Sequence, residues 1–335
     1  MLNLGTDAPN QSPIVHVSEA YDADLHASNL TDWQQAYDQT SRGAFYGRIV
    51  ESTYDGLQVF CEHTNQALQQ KCVVWPDSIW LGIPFADQQT SRINGLSVQG
   101  NDIMCRPGDY DFQLSTPQEY DLYGLVVDKS KLMGVSSIHG VDLNWKELTE
   151  YGRLKVPTKT LTEVRFLLGR LLTMKTPPAS SRLQQDIVIM ALLELLRVEE
   201  PQPAKTQSYS HRKKVVDCAQ RFLASHLDDA VTVTQLCEVT NVSRRTLQYS
   251  FESILGISPI QYLRVSRLNG VRRALVYADN TQTVSHVAAR WGFWHMSQFA
   301  KDYKHLFGEQ PSQTLSQKLS QNLSQTLKWR QEMPS

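Results

Sequence analysis

The sequence predicts an α+β protein in two parts. The first is an N-terminal β-barrel or jelly-roll-like sensor domain that ends in an α-hairpin, and the second is an all-α domain with two helix-turn-helix units joined by a long helix. Short runs rich in Val, Ile, Trp, Tyr and Phe, punctuated by turn residues, follow one another between residues 45 and 127 and predict the strands. From residue 211 to about residue 308 apolar residues instead recur with the period of a helix.

Composition divides the 335 residues into five predicted segments. The first segment is polar, and a stretch with two prolines, EEPQPAKTQSYS, has the composition of a linker. The segments are a flexible arm (1–30), an effector-sensing domain that is also a candidate for dimerisation (31–200), a linker (201–210), a double helix-turn-helix domain (211–310) and a low-complexity tail (311–335).

Two segments within the sensing domain predict the α-hairpin. Leu161–Met174 and Leu183–Leu196 each place apolar residues at i, i+3, i+4 and i+7, and Pro177 and Pro178 separate them. The second helix carries a broad apolar stripe that includes Ile187, Met190, Ala191 and Leu193. This stripe either packs against the strands or forms a homodimer face.

The tail repeats SQTL, SQKL, SQNL and SQTL from Ser312 to Leu327. A leucine at every fourth residue drifts around a helix by about 40° per step, because a helical turn takes 3.6 residues. The sequence favours a weakly helical, partly disordered tail, and a helix that docks onto the preceding domain is the alternative.

Charge is distributed unevenly along the chain. The net charge is −1, but residues 211–310 hold 13 Lys and Arg against 8 Asp and Glu, whereas the remainder holds 20 against 26. This asymmetry indicates an anionic partner, such as nucleic acid, for the helical domain.

Cysteine usage and hydropathy predict a cytoplasmic protein with no membrane association. The five cysteines are scattered, with no Cys-x-x-Cys pair, as expected of a reduced protein. The first residues, MLNLGTDAPNQSP, lack the pattern of a signal peptide. The longest apolar stretch, IVIMALLELLRVEE, is too short to span a bilayer.

The helical domain contains the same element twice. VTQLCEVTNV (233–242) aligns with VSHVAARWGF (284–293) at an offset of 51. In each copy a short amphipathic helix leads to a tight turn at Asn241 or Gly292, since these residue types tolerate left-handed backbone. A second helix follows, with Ser243 as the predicted N-cap in the first copy. The pattern is typical of a helix-turn-helix present twice.

The second helix of each copy has a predicted buried stripe and a predicted DNA-contacting face. The stripes comprise Leu247, Phe251 and Ile254 or Leu255 in the first copy, and Phe299, Tyr303 and Leu306 or Phe307 in the second. Arginine reads guanine and glutamine reads adenine in the major groove, whereas lysine, serine and tyrosine suit phosphates and base edges. The predicted contacts are Ser243, Arg244, Arg245, Gln248, Tyr249, Trp294, Ser297, Gln298, Lys301 and Lys304.

Roles within this face differ. Arg245 and Gln248 are predicted to contact bases, and Lys301 and Lys304 to contact phosphate, with a merely solvated face as the alternative. Trp291 and Phe293 are predicted to lie in the core rather than to wedge between bases. Trp294 fits either role.

One long helix, from about Pro259 to Ala278, is predicted between the two copies. About twenty residues at 1.5 Å each give a rod of about 30 Å, close to the roughly 34 Å between successive major-groove faces of B-DNA. One chain can therefore place two recognition helices on the same face of a duplex. The arginines of this rod contact phosphate, pair with acids or are solvated; they are Arg264, Arg267, Arg272 and Arg273.

The two copies resemble the DNA-binding domain of the AraC family of bacterial transcription regulators. The resemblance runs through SRRTLQYSFESILGISPIQYLRVSRLN and VAARWGFWHMSQFAKDYKHLFGEQP. It implies binding to double-stranded promoter DNA, with RNA polymerase as a further partner. The sequence departs from the family pattern at Asn269-Gly270-Val271, where alanine is usual. The glycine is expected to loosen the rod locally, at a cost of about 1 kcal/mol.

The N-terminal half is similar to the activators of ethanolamine-utilisation operons in TDWQQAYDQ, LQVFCEHTNQALQQ, VVWPDSIWLGIP and FQLSTPQEYDLYGLVV. This similarity implies activation in response to ethanolamine together with adenosylcobalamin, neither of them a cofactor that the fold requires. No Asp-x-His-x-x-Gly cobalamin signature is present, so cobalamin would bind in another way. A different small metabolite or amine as effector, or a repressor role, stays open.

Four residues are candidates for effector binding. A small ammonium ligand favours an aromatic face together with a carboxylate, and Glu62, Trp75, Asp77 and Trp80 lie close together in sequence on predicted neighbouring strands. The alternative is that the two tryptophans fill the core of the barrel.

Other functional classes find little support in the sequence. Cys61-x-His63 is the closest Cys/His pair, and neither His-x-His with a following Glu nor His-Glu-x-x-His occurs, so neither a metal site nor an enzyme is predicted. A DNA binder that senses nothing would need only the last third of the chain, which leaves the β-rich domain unexplained.

Overall fold

The runs rich in β-branched and aromatic residues form antiparallel strands. The computed structural model describes residues 15–108, 110–141, 143, 152–173, 181–197, 207–226, 231–278 and 281–316. Its strands are β1 (Val15–Ala20), β2 (Gln34–Gln39), β3 (Gly47–Tyr54), β4 (Leu57–Thr64), β5 (Leu68–Val73), β6 (Ser78–Pro84), β7 (Ser91–Ile93), β8 (Leu96–Val98), β9 (Asp102–Pro107), β10 (Phe112–Thr116), β11 (Tyr120–Asp128) and β12 (Arg153–Lys155).

The strands form two sheets that face each other. A seven-stranded sheet has the order β1-β3-β4-β11-β6-β9-β12, and a five-stranded sheet has the order β2-β5-β10-β7-β8. Between them the rings of Trp80 and Phe112 stack at 4.7 Å, and the Tyr120 hydroxyl donates to Ser91 Oγ at 2.8 Å. The β6 strand is buried along its whole length because both of its faces are covered. The predicted barrel-like or sandwich-like domain is confirmed.

Helices cover the outer face of the seven-stranded sheet. They are α2 (Lys129–Ile138), α3 (Thr158–Thr173) and α4 (Ser181–Arg197), and their apolar residues join those of β4, β6 and β11 in one core. The predicted helices of the α-hairpin are thereby found, while the Pro177-Pro178 break lies outside the described residues. The apolar stripe of α4 divides: Leu193 is buried in this core, whereas Ile187 and Met190 are exposed.

The prediction of a flexible arm over residues 1–30 is wrong for the part that the structure describes. Val15–Ala20 forms β1, which pairs with β3 from Val15 opposite Ser52 to Ala20 opposite Gly47. The short helix α1 (Ala23–Ala27) follows, capped by Asp22, and the buried His26 belongs to it. The polar composition of this segment gave no indication of a strand. The strand is stabilised by pairing with β3, which composition alone could not reveal.

The chain divides into two compact units. The first comprises residues 1–36, 46–65 and 70–204, and the second comprises 37–45, 66–69 and 205–335. Two short segments of the predicted sensing domain therefore group with the helices. No helix within the described ranges is both long and apolar enough to cross a membrane.

The second unit contains α5 (Gln207–Ser225), α6 (Val233–Thr240), α7 (Arg244–Leu255), α8 (Pro259–Val276), α9 (Val284–Arg290) and α10 (Met296–Phe307). Its apolar residues form two separate cores. One core joins α5, α6 and α7 to the first half of α8, and the other joins α9 and α10 to its second half. The long predicted rod is thus α8, shared by both cores.

Local features of this unit depart from expectation in three places. The predicted linker ends early, since α5 begins at Gln207. Residues 311–316 of the tail are helical, and Leu315 packs against the second core; the rest of the tail lies outside the described residues. A Cβ at Gly270 would lie 2.3 Å from the Trp291 ring, so this glycine serves a close approach to the helix instead of merely loosening it.

Candidate nucleic-acid interface and effector site

The first helix-turn-helix unit, α6 and α7, is fixed by hydrogen bonds at its ends. Thr232 and Gln235 form a capping box in which each side chain accepts from the other's backbone N–H. Asn241 ends α6 in the left-handed conformation, with φ of 51°. Ser243 Oγ accepts from the Thr246 N–H at 3.2 Å and begins α7. The predicted turn and N-cap are both present, and they set the direction of α7.

The outward side of α7 carries the polar residues that the sequence predicted. Arg244 and Arg245 are exposed, and Gln248 is half-buried and donates to the Glu252 carboxylate. Tyr249 is 60% exposed. The predicted stripe of α7 is buried in full: Leu247, Phe251, Ile254 and Leu255.

The second helix-turn-helix unit, α9 and α10, has the same turn with a different start to its recognition helix. Gly292 has φ of 76°, as the left-handed turn requires. His295 precedes α10 and makes no side-chain capping hydrogen bond. Gly308 ends α10 with φ of 77°, in the way that Gly256 ends α7.

The outward side of α10 is exposed at each predicted position. Trp294 is 75% exposed, and Gln298 donates to the Asp302 carboxylate at 2.8 Å. Trp291 and Phe293 pack against the second core, which supports the core assignment for both. The other exposed residues of this face are Ser297, Lys301 and Lys304.

The arginines of α8 pair with groups of the protein. Arg264 lies against Asp302, and Arg272 donates to Glu309 at 2.8 Å. Arg273 pairs with Asp38, and Arg267 donates to the Val231 carbonyl. Burial lowers the pKa of the Arg267 guanidinium. These partners favour a structural role for the rod's arginines and leave the cations of α7 and α10 as the candidates for contacting DNA.

In the first unit, an aromatic cluster lies between the two sheets. The Trp33 ring meets the rings of Phe60 at 5.6 Å, Trp80 at 6.0 Å and Phe112 at 6.3 Å, each edge-on. Trp33 is half-buried, whereas the other three are buried, so this ring forms the outer wall of the cluster. The buried Trp80 indole N–H has no hydrogen-bond partner among the described residues.

Two glycines create room for these rings. A Cβ at Gly82 would lie 2.5 Å from the Trp80 ring, and a Cβ at Gly124 would lie 1.9 Å from the Phe60 ring. Because Gly82 and Gly124 are register partners on β6 and β11, they form a flat floor on which both rings rest.

Two buried carboxylates share this face of the sheet. Glu62 lies 3.0 Å from His26 Nε2, and both side chains are almost fully buried. Glu51 accepts from the side chains of Gln58 and Thr31, and the Trp33 indole donates to Gln58 Oε1 at 2.9 Å. A buried acid next to aromatic rings is the chemistry that an organic cation requires.

The four predicted effector residues lie in two places. Glu62 and Trp80 face the interior, on strands β4 and β6 that are separated by β11. Trp75 and Asp77 lie in the turn between β5 and β6, where Asp77 is exposed with φ of 53°. The fold therefore does not bring all four to one site.

Sequence reasoning did not identify several interior residues. Aromatic residues flank Trp80 from β4, β10 and the segment before β2, and only knowledge of the strand order reveals that they meet. His26 lies in the predicted arm, where composition gave no indication of burial. The missed residues are His26, Trp33, Glu51, Gln58, Phe60 and Phe112.

The thiols and possible metal ligands of the described residues show no reactive arrangement. Burial raises the pKa of Cys61 to about 12 and raises that of Cys72 well above its ordinary value, so both stay protonated thiols. Within the same residues, no group of three His, Cys, Asp or Glu side chains is positioned to hold a metal ion.

The family model described as "Helix-turn-helix domain" matches residues 236–317. The chain is 36% identical over 120 residues to a probable thc operon regulatory protein of Rhodococcus erythropolis, covering 36% of this chain and 34% of that protein. It is 35% identical over 97 residues to a XylDLEGF operon transcriptional activator of Pseudomonas putida, covering 29% and 62%. The chain thus spans less than two thirds of the length of either relative.

Among solved structures, a probable AraC family transcriptional regulator from Rhodopseudomonas palustris is 30% identical, with 31% of this chain and 96% of that chain covered and a TM-score of 0.29. The AraC-like transcriptional activator CuxR is 13% identical, with 73% and 86% covered and a TM-score of 0.34. The family model covers the segment that runs from α6 through α10, with its two left-handed turns. Residues 236–317 therefore carry a helix-turn-helix domain, and over part of its length the chain is similar to regulators of operons.

Proposed function

We propose that the chain activates transcription by binding promoter DNA with both recognition helices, α7 and α10, in successive major grooves. The observation that carries this proposal is the pair of exposed polar faces, each backed by its own core and each following a left-handed turn. The shared helix α8 has 18 residues, and at 1.5 Å per residue it is about 27 Å long. This length suits a spacing of about one DNA turn between contacts.

The two faces have different roles in this proposal. Arg245 and Gln248 read base edges, while Lys301 and Lys304 bind phosphates. Ser243, Arg244 and Tyr249 support the first face, and Trp294, Ser297 and Gln298 support the second. The exposure of all these side chains except the half-buried Gln248, together with the internal pairing of the α8 arginines, supports the assignment.

Selection of DNA by the full-length protein tests the proposal. From a random duplex library we expect enrichment of sequences with two conserved blocks whose centres lie about 10 bp apart. Footprinting of a selected duplex should protect both blocks. If no sequence is enriched over random DNA, the chain does not bind DNA specifically and the proposal is wrong.

The first unit, in this proposal, senses a small organic cation, with ethanolamine together with adenosylcobalamin as the leading candidate. The aromatic cluster of Trp33, Phe60, Trp80 and Phe112 and the buried Glu62 supply the face and the carboxylate that an ammonium group needs. Another small amine that fits the same chemistry is the alternative effector.

Thermal unfolding of the full-length protein tests this part. Ethanolamine, with and without adenosylcobalamin, should raise the melting temperature, and ethylene glycol, which has the same size without the charge, should not. Glu62→Gln and Trp80→Leu should abolish the shift, whereas Trp294→Leu, a matched change in the other unit, should keep it. No shift with any small amine would contradict the sensing proposal.

A reporter fused to a selected promoter tests the direction of regulation. We expect expression to rise when the effector is added, through contact with RNA polymerase. A fall in expression would assign a repressor instead. An output that ignores the effector would remove the sensing role.

The proposal also includes a homodimer formed through the α-hairpin. Phe166 on α3 is 72% exposed, and Leu183, Ile187 and Met190 on α4 are exposed as well. An apolar patch of this kind on a helical pair is typical of a protein interface. Sedimentation of the full-length protein and of Phe166→Glu should give a dimer and a monomer, respectively.

A further inference from the structure

Two glutamines that precede the helical region in sequence bind the ends of the two recognition helices. Gln69 Nε2 donates to the Leu255 carbonyl at the end of α7, at 3.1 Å. Gln39 Nε2 donates to the Leu306 carbonyl at the end of α10, at 2.8 Å. Both glutamines belong to the second compact unit, in two segments that we name the capping segments, residues 37–45 and 66–69.

Carbonyls at the end of a helix lack partners within that helix and need donors from elsewhere. Gly256 and Gly308 stop α7 and α10 in the left-handed conformation, and each donates its N–H to a residue one turn back. Neither of these bonds uses the Leu255 or the Leu306 carbonyl, and the capping segments supply the donors to both. Leu306 receives a second donor, the N–H of Gly43 at 3.0 Å.

A third attachment lies in the middle of α8. The Gln39 N–H donates to Asn269 Oδ1, and Asn269 Nδ2 donates to the Gln39 carbonyl, both at 3.0 Å. Asn269 is 4% exposed and Gln39 is 2% exposed, so this pair of bonds is shielded from water. The Asn269 side chain thus bonds both backbone groups of Gln39, as a neighbouring β-strand would. This role explains an asparagine at a position where helix propensity would favour alanine.

Charge strengthens the same attachment. Arg273, one turn beyond Asn269 on α8, donates to the Asp38 carboxylate and to the Tyr37 carbonyl. Gly308 leaves no room for a side chain here, because a Cβ would lie 2.8 Å from the Ala44 N–H nitrogen. The first capping segment therefore contacts both α8 and α10 closely.

Hydrogen bonds join the two capping segments to each other. The Thr40 N–H donates to the Ala67 carbonyl at 2.8 Å. Ser41 Oγ donates to Gln66 Oε1 at 2.6 Å and accepts from the Ala67 N–H at 2.8 Å. A displacement of one segment is therefore carried to the other, and the ends of α7 and α10 are connected through a short chain of bonds.

We infer that the capping segments set the distance and angle between the two recognition helices and thereby select the spacing of the two DNA blocks. Apart from them, the two helical cores share only α8, on which the first core ends at Leu263 and the second begins at Leu268. The second connection, through Gln39, Asn269 and Gln69, holds the two halves in one arrangement. This inference rests on the proposed DNA binding.

The experiment measures affinity for a series of duplexes. A duplex that the full-length wild-type protein selects from a random library is varied by inserting or deleting one or two base pairs between its two blocks. A duplex that keeps only the block bound by α7 serves as the single-site probe. The variants are full-length Gln69→Ala and Asn269→Ala, and the control is Gln34→Ala, an exposed glutamine on β2.

We expect the wild-type protein and Gln34→Ala to lose at least tenfold in affinity for each shifted duplex. Asn269→Ala and Gln69→Ala should reduce that discrimination to less than threefold while binding the single-site probe as the wild type does. Gln69 is only half-buried, so its truncation leaves the fold intact even if Asn269→Ala proves unstable.

The failure of this inference differs from the failure of the proposed function. If Gln69→Ala and Asn269→Ala both keep the wild-type dependence on spacing, the capping segments do not set it and the inference is wrong. If the variants lose affinity for the single-site probe as strongly as for the two-block duplex, the segments only stabilise the fold, which also overturns it. If the wild type selects no duplex at all, the proposed DNA binding itself is wrong, and the variants are not needed to show it.

Discussion

The two helix-turn-helix units share one backbone plan and stabilise it by different means. In the first unit, side-chain caps fix both helices: Thr232 with Gln235 at the start of α6, and Ser243 at the start of α7. In the second unit Thr283 caps α9 in the same way, but His295 provides no cap for α10. A continuous chain of rings replaces it, with centroid distances of 5.0, 5.7 and 4.6 Å from Phe293 through Phe299 and Tyr303 to Phe307.

The outward faces of α7 and α10 also differ. The first presents two adjacent arginines on a locally fixed helix, and arginine gives bidentate contacts to guanine. The second presents lysines on a helix that depends on tertiary packing, with the Tyr303 hydroxyl and Glu309 both bonded to Thr314. Burial raises the pKa of Tyr303 to about 12, so it acts there as a neutral hydroxyl. Under the proposed function, this difference gives the repeated motif two roles: the first unit reads sequence and the second anchors the protein on DNA.

The largest expected effect concerns the separateness of the two cores. Phe299→Ala removes a fully buried ring from the second core and should destabilise that unit by about 3–5 kcal/mol. Because Phe299 belongs to the second core and not to the first, amide exchange should accelerate in α9 and α10 and stay unchanged in α6 and α7. Phe251→Ala is the matched change in the first core, with the reverse pattern expected. Equal acceleration in both units for either variant would show that they unfold together.

The next effect concerns base reading. Arg245→Ala should weaken binding to a selected duplex by about 1–3 kcal/mol, since it removes a bidentate donor to a base. Binding to random DNA should change far less. Titrations with both duplexes measure the difference, and Arg170→Ala, an exposed arginine on α3, is the control. An equal loss on both duplexes would make Arg245 a phosphate contact and remove the assigned role of the first unit.

Much of the helical unit could be predicted from the sequence because its determinants are local. The left-handed turns need Asn241 and Gly292, the N-cap needs Ser243, and the helix ends need Gly256 and Gly308, each within a few residues of the feature it specifies. Periodicity likewise predicted the buried stripes and the length of α8.

Other features could not be predicted because they depend on partners that are distant in sequence. The β1 strand is stabilised by pairing with β3, and His26 is buried against Glu62, 36 residues away. In the sequence Asn269 was only a departure from the family pattern, because its hydrogen-bond partner, Gln39, lies 230 residues earlier. For the proposed effector site, residue type pointed to Glu62 and Trp80, whereas Trp33, Phe60 and Phe112 required the order of the strands.

A smaller effect tests whether a side-chain cap stabilises the start of α7 but not the start of α10. Ser243→Ala should cost about 1 kcal/mol, because the Thr246 N–H loses its acceptor. The change should appear as faster exchange of the Thr246 amide and of the first turn of α7. His295→Ala should change the first turn of α10 little, since His295 makes no capping bond. If both substitutions accelerate exchange equally, the two helices start in the same way and this part of the comparison is wrong.

The smallest expected effect separates anchoring from reading. Lys301→Ala should lower affinity by a similar factor on selected and random duplexes, because a phosphate contact carries no sequence information. One lost phosphate contact should also reduce the slope of log affinity against log salt concentration by about 0.9. Lys159→Ala, at an exposed lysine on α3, should leave the slope unchanged. A loss confined to the selected duplex, with the salt slope intact, would mean that α10 reads bases as α7 does. The two units would then share the recognition of sequence, and the differences in their caps and cores would concern stability alone.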